Sequence, residues 1–154
     1  MSIGLLTAAC SAPCSWQIDS IQTGNGAFDS SRLQYASTQA HCPMLFEMIK
    51  IGSRVEAFIS LTHLRFTSDA QMKIVFTIDD QPLEDVVPVN EGAMRIRLLP
   101  QTTERIIQSL QEGKKIVILV DGFKETLDPD QFSSSFAKFM REGNFFENFF
   151  KGPT

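Results

Sequence analysis

The chain has 154 residues, of which 43% are hydrophobic and 21% are charged, and its formal net charge is -4. This length supports one domain with a single core, and the composition is too apolar for a disordered chain. The sequence has no apolar run long enough for a membrane-spanning helix, and its deficit of Lys and Arg argues against nucleic acid as a partner, because binding to phosphates requires positive charge.

Residues 1–14 form an N-terminal lead-in that contains Cys10 and Cys14. Met1–Ala9 contains no Lys or Arg and is therefore not a complete secretory signal. The stretch LLTAAC nevertheless resembles the cleavage box of bacterial lipoproteins, with Thr7 where that box has Leu. Two readings stay open, a plain lead-in to the first strand and a lipid anchor at Cys10, which is the one membrane attachment that the sequence suggests.

The next part of the chain alternates apolar and polar side chains, which is typical of strands. Weak signals cover Trp16–Gln22 and Leu33–Thr38, with a Gly-Asn-Gly turn between them. From Met44 the pattern predicts two strands that meet at Gly52 and Ser53. The second of these strands has an inward apolar face of Val55, Ala57, Ile59 and Leu61.

The stretch MKIVFTIDDQPLEDVVPV predicts a hairpin that turns at the sequence Asp80, Gln81, Pro82. The inward face of its first strand consists of Met72, Ile74, Phe76 and Ile78. The following strand, AMRIRLL, has a basic face of Arg95 and Arg97 and a core face of Met94, Ile96 and Leu98.

A short internal helix is predicted for TTERIIQSLQEG, which opens with a threonine cap and ends at Gly113. Its apolar stripe is formed by Ile106, Ile107 and Leu110. The run KKIVILVDGFKETL then predicts a hairpin that turns at Asp121 and Gly122. We expect its first strand, Ile116–Val120, to be central and buried on both faces.

A C-terminal helix is predicted for DPDQFSSSFAKFMREG, with Asp128 as its cap, Pro129 at the first helical position and Gln131 completing a capping box. Its apolar stripe consists of Phe132, Phe136, Phe139 and Met140.

These elements predict a mainly β fold, with α+β as the wider class: an antiparallel β-sandwich of about eight or nine strands, because a parallel sheet needs a crossover helix after nearly every strand. One short internal helix and a C-terminal helix complete it. We expect a lead-in at 1–14, a single β-sandwich domain at 15–143 and a Phe-rich tail at 144–154.

The order of these features resembles small exported bacterial β-sandwich proteins of the invasion-associated locus B type and the related accessory proteins of type VI secretion. The resemblance covers about Trp16–Met140 and is carried by Trp16 and by the stretches FISLTHLRF, KIVFTIDDQP, MRIRLLP, ERIIQSLQEG and KKIVILV. It implies an envelope protein with a binding role and without established chemistry. Periplasm or envelope is therefore favoured slightly over cytoplasm.

The cysteines offer two kinds of site. A disulfide from Cys42 to Cys10 or Cys14 is the stronger hypothesis and depends on export, while reduced thiols are the default. Cys10, Cys14, His41 and Cys42 have the ligand types that zinc prefers, but their spacing matches no zinc motif, and no metal site is predicted.

Other ionisable residues give weaker signals. Four carboxylates near one turn, Asp79, Asp80, Glu84 and Asp85, could supply calcium ligands or an acid-base pair, but we expect them to be solvated. His63 continues the inward register of its strand and is expected at the margin of the core. The sequence contains no nucleophile, phosphate-binding or dinucleotide motif, so it predicts no catalytic residue, no cofactor and no enzymatic activity.

Two surfaces are candidates for binding. Arg95 and Arg97, with Arg54 and Arg65, could form an anion-binding face, although pairing with nearby acids is the more ordinary arrangement. The tail places four rings on one side of a helical turn, where they are expected to contact the protein's own core, a second copy or a partner: Phe145, Phe146, Phe149 and Phe150.

The sequence thus predicts a non-enzymatic binding or structural protein that acts through protein contacts or self-association. The alternative is a cytosolic adaptor or secretion chaperone that forms a homodimer.

Overall fold

The computed structural model of the chain describes residues 15–21, 30–37, 42–67, 70–89 and 94–142. Nine strands and two helices lie in these ranges. In chain order they are β1 (Trp16–Ile21), β2 (Ser30–Tyr35), β3 (Met44–Ile51), β4 (Arg54–Leu61), β5 (Gln71–Ile78), β6 (Gln81–Pro88), β7 (Arg95–Arg97), α1 (Pro100–Gln111), β8 (Ile116–Val120), β9 (Phe123–Leu127) and α2 (Phe132–Arg141). Within the described ranges, no helix has the length and apolar character needed to cross a membrane.

The strands form two antiparallel sheets. The five-stranded sheet has the order β1-β2-β3-β4-β7, and the four-stranded sheet has the order β6-β5-β8-β9. A single bridge between Val89 and Ile96 connects their neighbouring edges. The predicted fold class, a mainly β antiparallel sandwich with one internal and one C-terminal helix, is confirmed.

The inner faces of both sheets contribute to one hydrophobic core. Phe46 and Ile59 from the five-stranded sheet and Phe76 and Ile118 from the four-stranded sheet are completely or almost completely buried. The alternation predicted for β4 and β5 therefore places the expected side chains in the core. Burial of each large apolar side chain contributes about 2 kcal/mol relative to exposure.

Helix α2 covers the part of the core beside β1 and β2. The ring of Phe132 packs edge-on against Trp16, with ring centroids 4.8 Å apart. The indole N–H of Trp16 donates to the carbonyl oxygen of Asp128 at 2.8 Å, so the chain entering α2 is tied to the first strand.

Both predicted helix starts are wrong in detail. Helix α1 begins at Pro100, whose fixed φ suits the first helical position, and Leu99 is its N-cap. Thr102 is thus inside the first turn, where its hydroxyl donates to the buried carboxylate of Asp85 on β6. Helix α2 begins at Phe132 after a left-handed Gln131, so no capping box forms.

Of the two predicted hairpin turns, one is wrong in position and the other is confirmed. The β5–β6 turn consists of Asp79 and Asp80, both with positive φ, and not of residues 80–82, because a two-residue turn of this type matches the twist of the strands. The turn at Asp121 and Gly122 is confirmed. Strand β8 is central, but it is not buried on both faces, because Leu119 is 45% exposed.

Candidate interaction surfaces

Ionisable side chains on the outer face of the five-stranded sheet lie beside one another on neighbouring strands. Asp19 on β1 is directly opposite Arg32 on β2, and Phe58 on β4 is directly opposite both Glu47 on β3 and Arg97 on β7. We call this outer face the charged face; its ionisable and aromatic members in the described ranges are Asp19, Arg32, Glu47, Arg54, Glu56, Phe58, Arg95 and Arg97.

The centre of the charged face is a buried carboxylate. Glu47 is only 5% exposed, although it points away from the core. Its Oε1 lies 2.7 Å from Nη2 of Arg95, and its Oε2 lies 3.5 Å from Nη1 of Arg32. Arg32 also reaches Asp19 at 2.7 Å. A carboxylate removed from water needs such partners, because an unpaired buried charge is strongly destabilising.

Arg95 has a second internal contact. Its guanidinium carbon lies 3.7 Å from the centroid of the Phe58 ring, which is the geometry of a cation–π interaction. Arg95 is therefore in contact with Glu47 and Phe58 within the protein, although its buried Nε and Nη2 make no hydrogen bond in the described part of the chain. The sequence-based proposal that Arg95 helps to form an anion-binding face stays a prediction, and the structure places this guanidinium in a structural network.

Arg97 is placed differently. Its Nη1 lies 3.7 Å from Oε1 of Glu56, and the same oxygen is also 3.0 Å from Arg54. The Arg97 side chain remains 63% exposed. Arg65, which was grouped with these residues from the sequence, is exposed beyond the end of β4 and does not lie on the charged face.

The outer face of the four-stranded sheet has fewer ion pairs, and Thr77, Lys124 and Thr126 share it with a group of apolar side chains. Its centre consists of apolar side chains that we call the apolar face, namely Val75, Val86, Val117 and Leu119. Val86 is 58% and Leu119 is 45% exposed, and Val75 is directly opposite Leu119. One ion pair, Lys73 with Glu84 at 2.9 Å, lies on the same outer face.

Cys42 is half-buried just before β3, and its thiol donates to the carbonyl oxygen of Lys124 at 3.6 Å. Burial raises the pKa of this thiol, and the carboxylate of Glu125 raises it further. Such a thiol is protonated at neutral pH and is a poor nucleophile. Cys10 and Cys14 lie outside the described residues, so the disulfide hypothesis stays a prediction.

Tyr35, the last residue of β2, also lies near Glu125. Burial raises the pKa of its phenol, and the backbone N–H of Asp128 donates to the phenol oxygen at 3.3 Å. Glu125 is 2% exposed, and its Oε1 accepts the backbone N–H of Thr126 at 2.9 Å. The contact between Tyr35 and Asp128 ties the chain between β9 and α2 to the five-stranded sheet, whereas the contact of Glu125 with Thr126 lies within β9.

The four clustered carboxylates do not converge. Glu84 points outward to Lys73, whereas Asp85 points inward to Thr102 on α1, because neighbouring residues of a strand face opposite sides. Within the described ranges, no three metal-ligating side chains form a group. Because Asp85 is buried and bonded to Thr102, the expectation that it is solvated is wrong. His41 lies outside the described residues.

The prediction for His63 is also wrong. Strand β4 ends at Leu61, and His63 is exposed with a left-handed φ of 62°. The inward alternation stops where the strand stops.

The four tail residues Phe145, Phe146, Phe149 and Phe150 lie outside the described residues.

The structural roles of Glu47 and Phe58 were not predicted from the sequence. A signal was present, since Glu47 is the one acidic residue in the mostly apolar strand MLFEMIKI, and a charge in such a strand needs a partner. The identity of that partner was not visible, because Arg95 is distant in the chain.

Comparison of the chain with protein-family models, with curated proteins and with solved structures found no match.

Proposed function

We propose that the protein is a non-enzymatic binding or structural protein of the bacterial cell envelope that acts through protein–protein contacts. The observation that carries this proposal is the apolar face. An antiparallel sheet with one face toward water normally places polar residues on that face. Here the directly opposed pair of Val75 and Leu119 occupies the centre.

Burial of this face against another protein is favourable. Val86 and Leu119 each retain about half of their surface, so covering them contributes about 1 kcal/mol each. Val75 and Val117 extend the same surface across β5 and β8. The placement in the envelope is supported by the resemblance of the sequence to exported β-sandwich proteins.

The second candidate is a homodimeric adaptor or secretion chaperone, and one observation favours it. The outer face of the four-stranded sheet carries a cation, Lys73, next to an anion, Glu84. Two copies related by a twofold axis could exchange these partners across the interface, since a twofold interface joins the same surface of both copies.

The test uses the full chain in the cells that produce it. A photo-crosslinking benzophenone side chain replaces Leu119 in one strain and Gln111, which is exposed on α1, in a control strain. We expect a crosslinked adduct at position 119 and none at 111. An adduct with the mass of two chains supports the homodimer, and an adduct with a different protein supports the binding role. Absence of any adduct at 119 overturns both.

The Phe-rich tail is proposed as an additional contact surface, on the strength of its sequence. Deletion of residues 145–154 should change the molar mass measured by light scattering or the binding of the crosslinked partner. If mass, stability and partner binding are all unchanged, the tail has no such role.

A further inference from the structure

A groove of about 430 Å³ lies where β7 ends and the chain turns into α1, on the edge of the charged face. Its walls include residues from three separate segments: Glu56 and Phe58 on β4, Pro88 on β6, and Arg97, Leu99 and Pro100 at the end of β7 and the start of α1. The groove is thus formed by the two sheets together.

The groove has a guanidinium with spare hydrogen-bonding capacity. Glu56, the nearest carboxylate, is 14% exposed, and it contacts Arg54 at 3.0 Å but Arg97 only at 3.7 Å. Arg97 is 63% exposed. Among the described residues around the groove, the guanidinium groups of Arg54 and Arg97 share the single carboxylate of Glu56. This local charge is complementary to an anion.

The remaining walls are apolar and stiff. The ring of Phe58 is held in place by Arg95, and the backbones of Pro88 and Pro100 have a fixed φ. A preformed groove loses little conformational entropy when a ligand binds. The combination of apolar walls with one exposed guanidinium fits a ligand that has an apolar side chain close to a carboxylate.

We propose that this groove binds a peptide segment of a partner protein in which acidic and apolar residues lie next to each other. Arg97 receives the carboxylate through paired N–H donors, and Phe58, Leu99 and the two prolines contact the apolar side chain. Apart from Pro88, which shares the outward register of Val86 on β6, the walls of this site lie outside the apolar face, so the peptide titration tests the site separately from the function proposed above.

The probe is an acetylated, amidated hexapeptide in which Leu and Asp alternate, so that every register places a carboxylate beside an apolar side chain. It is titrated into the full chain labelled with ¹⁵N. We expect saturable shifts of the amide signals of residues 54–58 and 97–99. Arg97→Gln should weaken binding about tenfold, because it removes a charge-assisted hydrogen bond. Arg65→Gln removes an exposed arginine outside the groove and should leave the affinity unchanged.

A second variant guards against loss of folding in the first. Pro88→Glu, at an exposed position of the edge strand β6, places a carboxylate on the groove wall and should weaken binding by repulsion. A control peptide that alternates Leu and Asn should bind at least about tenfold more weakly than the acidic peptide. The proposal is overturned if the acidic peptide causes no saturable shifts, if both peptides bind equally, or if Arg97→Gln binds as the unchanged chain does.

Discussion

The two outer faces of the sandwich differ in which outward-pointing side chains are buried and which are exposed. On the charged face, Glu47 is buried among Arg32 and Arg95, although it points away from the core. On the apolar face, Leu119 and Val86 stay about half exposed. The charge of Glu47 is thus withdrawn from water on one sheet, while apolar side chains are presented to water on the other.

This difference distinguishes side chains that stabilise the folded protein from side chains that are available for binding another protein. A desolvated carboxylate with two cations stabilises the sheet only while the whole network is intact. Exposed Val and Leu side chains contribute little to the folded monomer and gain free energy when another protein covers them. We therefore expect substitutions in the Glu47 network of the charged face to affect folding and substitutions on the apolar face to affect association.

The largest effect is expected at Glu47. Glu47→Gln removes the charge that pairs with Arg32 and Arg95, and should lower the free energy of unfolding by about 2 kcal/mol. The matched control is Glu84→Gln on the other sheet, which breaks only an exposed pair with Lys73 and should cost about 0.5 kcal/mol or less. Urea denaturation measures both. Equal costs would mean that the two faces do not differ as described.

A smaller effect is expected for the contact of Arg95 with Phe58. A double-mutant cycle with Phe58→Leu and Arg95→Met should give a coupling free energy of about 1 kcal/mol, because the ring attracts the guanidinium. The same cycle with Arg54→Met, whose partner is Glu56, should give a coupling close to zero. Additive costs for Phe58 and Arg95 would exclude a role for the ring in holding that arginine.

A still smaller change in stability is expected at Leu119. Leu119→Thr should alter the free energy of unfolding by less than about 0.5 kcal/mol, because surface substitutions seldom do more. In a chain that carries the benzophenone side chain in place of Val86, however, Leu119→Thr should remove the crosslinked adduct. Ile118→Thr, one residue away on the buried side of β8, should destabilise the protein strongly. A large loss of stability from Leu119→Thr would show that this side chain belongs to the core.

The smallest effect concerns salt. At 1 M salt the screening length is about 3 Å, so the already small cost of Glu84→Gln should vanish. The cost of Glu47→Gln should persist, because a buried pair is screened much less. Denaturation of both variants at low and high salt checks this. A parallel loss of both costs would contradict the burial of the Glu47 network.

The order of strands and helices was largely readable from the sequence. Alternation identified β4 and β5 with their core faces, and the dipeptide of Asp121 and Gly122 identified the β8–β9 turn. These signals are local, because strand periodicity and turn chemistry depend on neighbouring residues. The start of α1 was misplaced, since Thr102 is bonded to Asp85 from another strand and does not act as a cap. The start of α2 was misplaced because Gln131 is left-handed and precedes the helix.

The binding surfaces were less predictable. The sequence placed Arg95 and Arg97 on one face but could not distinguish them, and only the packed sheet shows that Arg95 is held by Glu47 and Phe58 while Arg97 stays exposed. The groove beside Arg97 was also not predictable, because its walls come from three separate segments that only the packing of the two sheets brings together.

The sequence by itself determined which segments form strands, the inward apolar faces of β4 and β5, and the β8–β9 turn at Asp121 and Gly122. The tertiary structure alone decided which outward-facing side chains are covered by their neighbours. The physical reason is that local conformation depends on adjacent residues, whereas the burial of Glu47 and the exposure of Leu119 depend on which strands lie side by side.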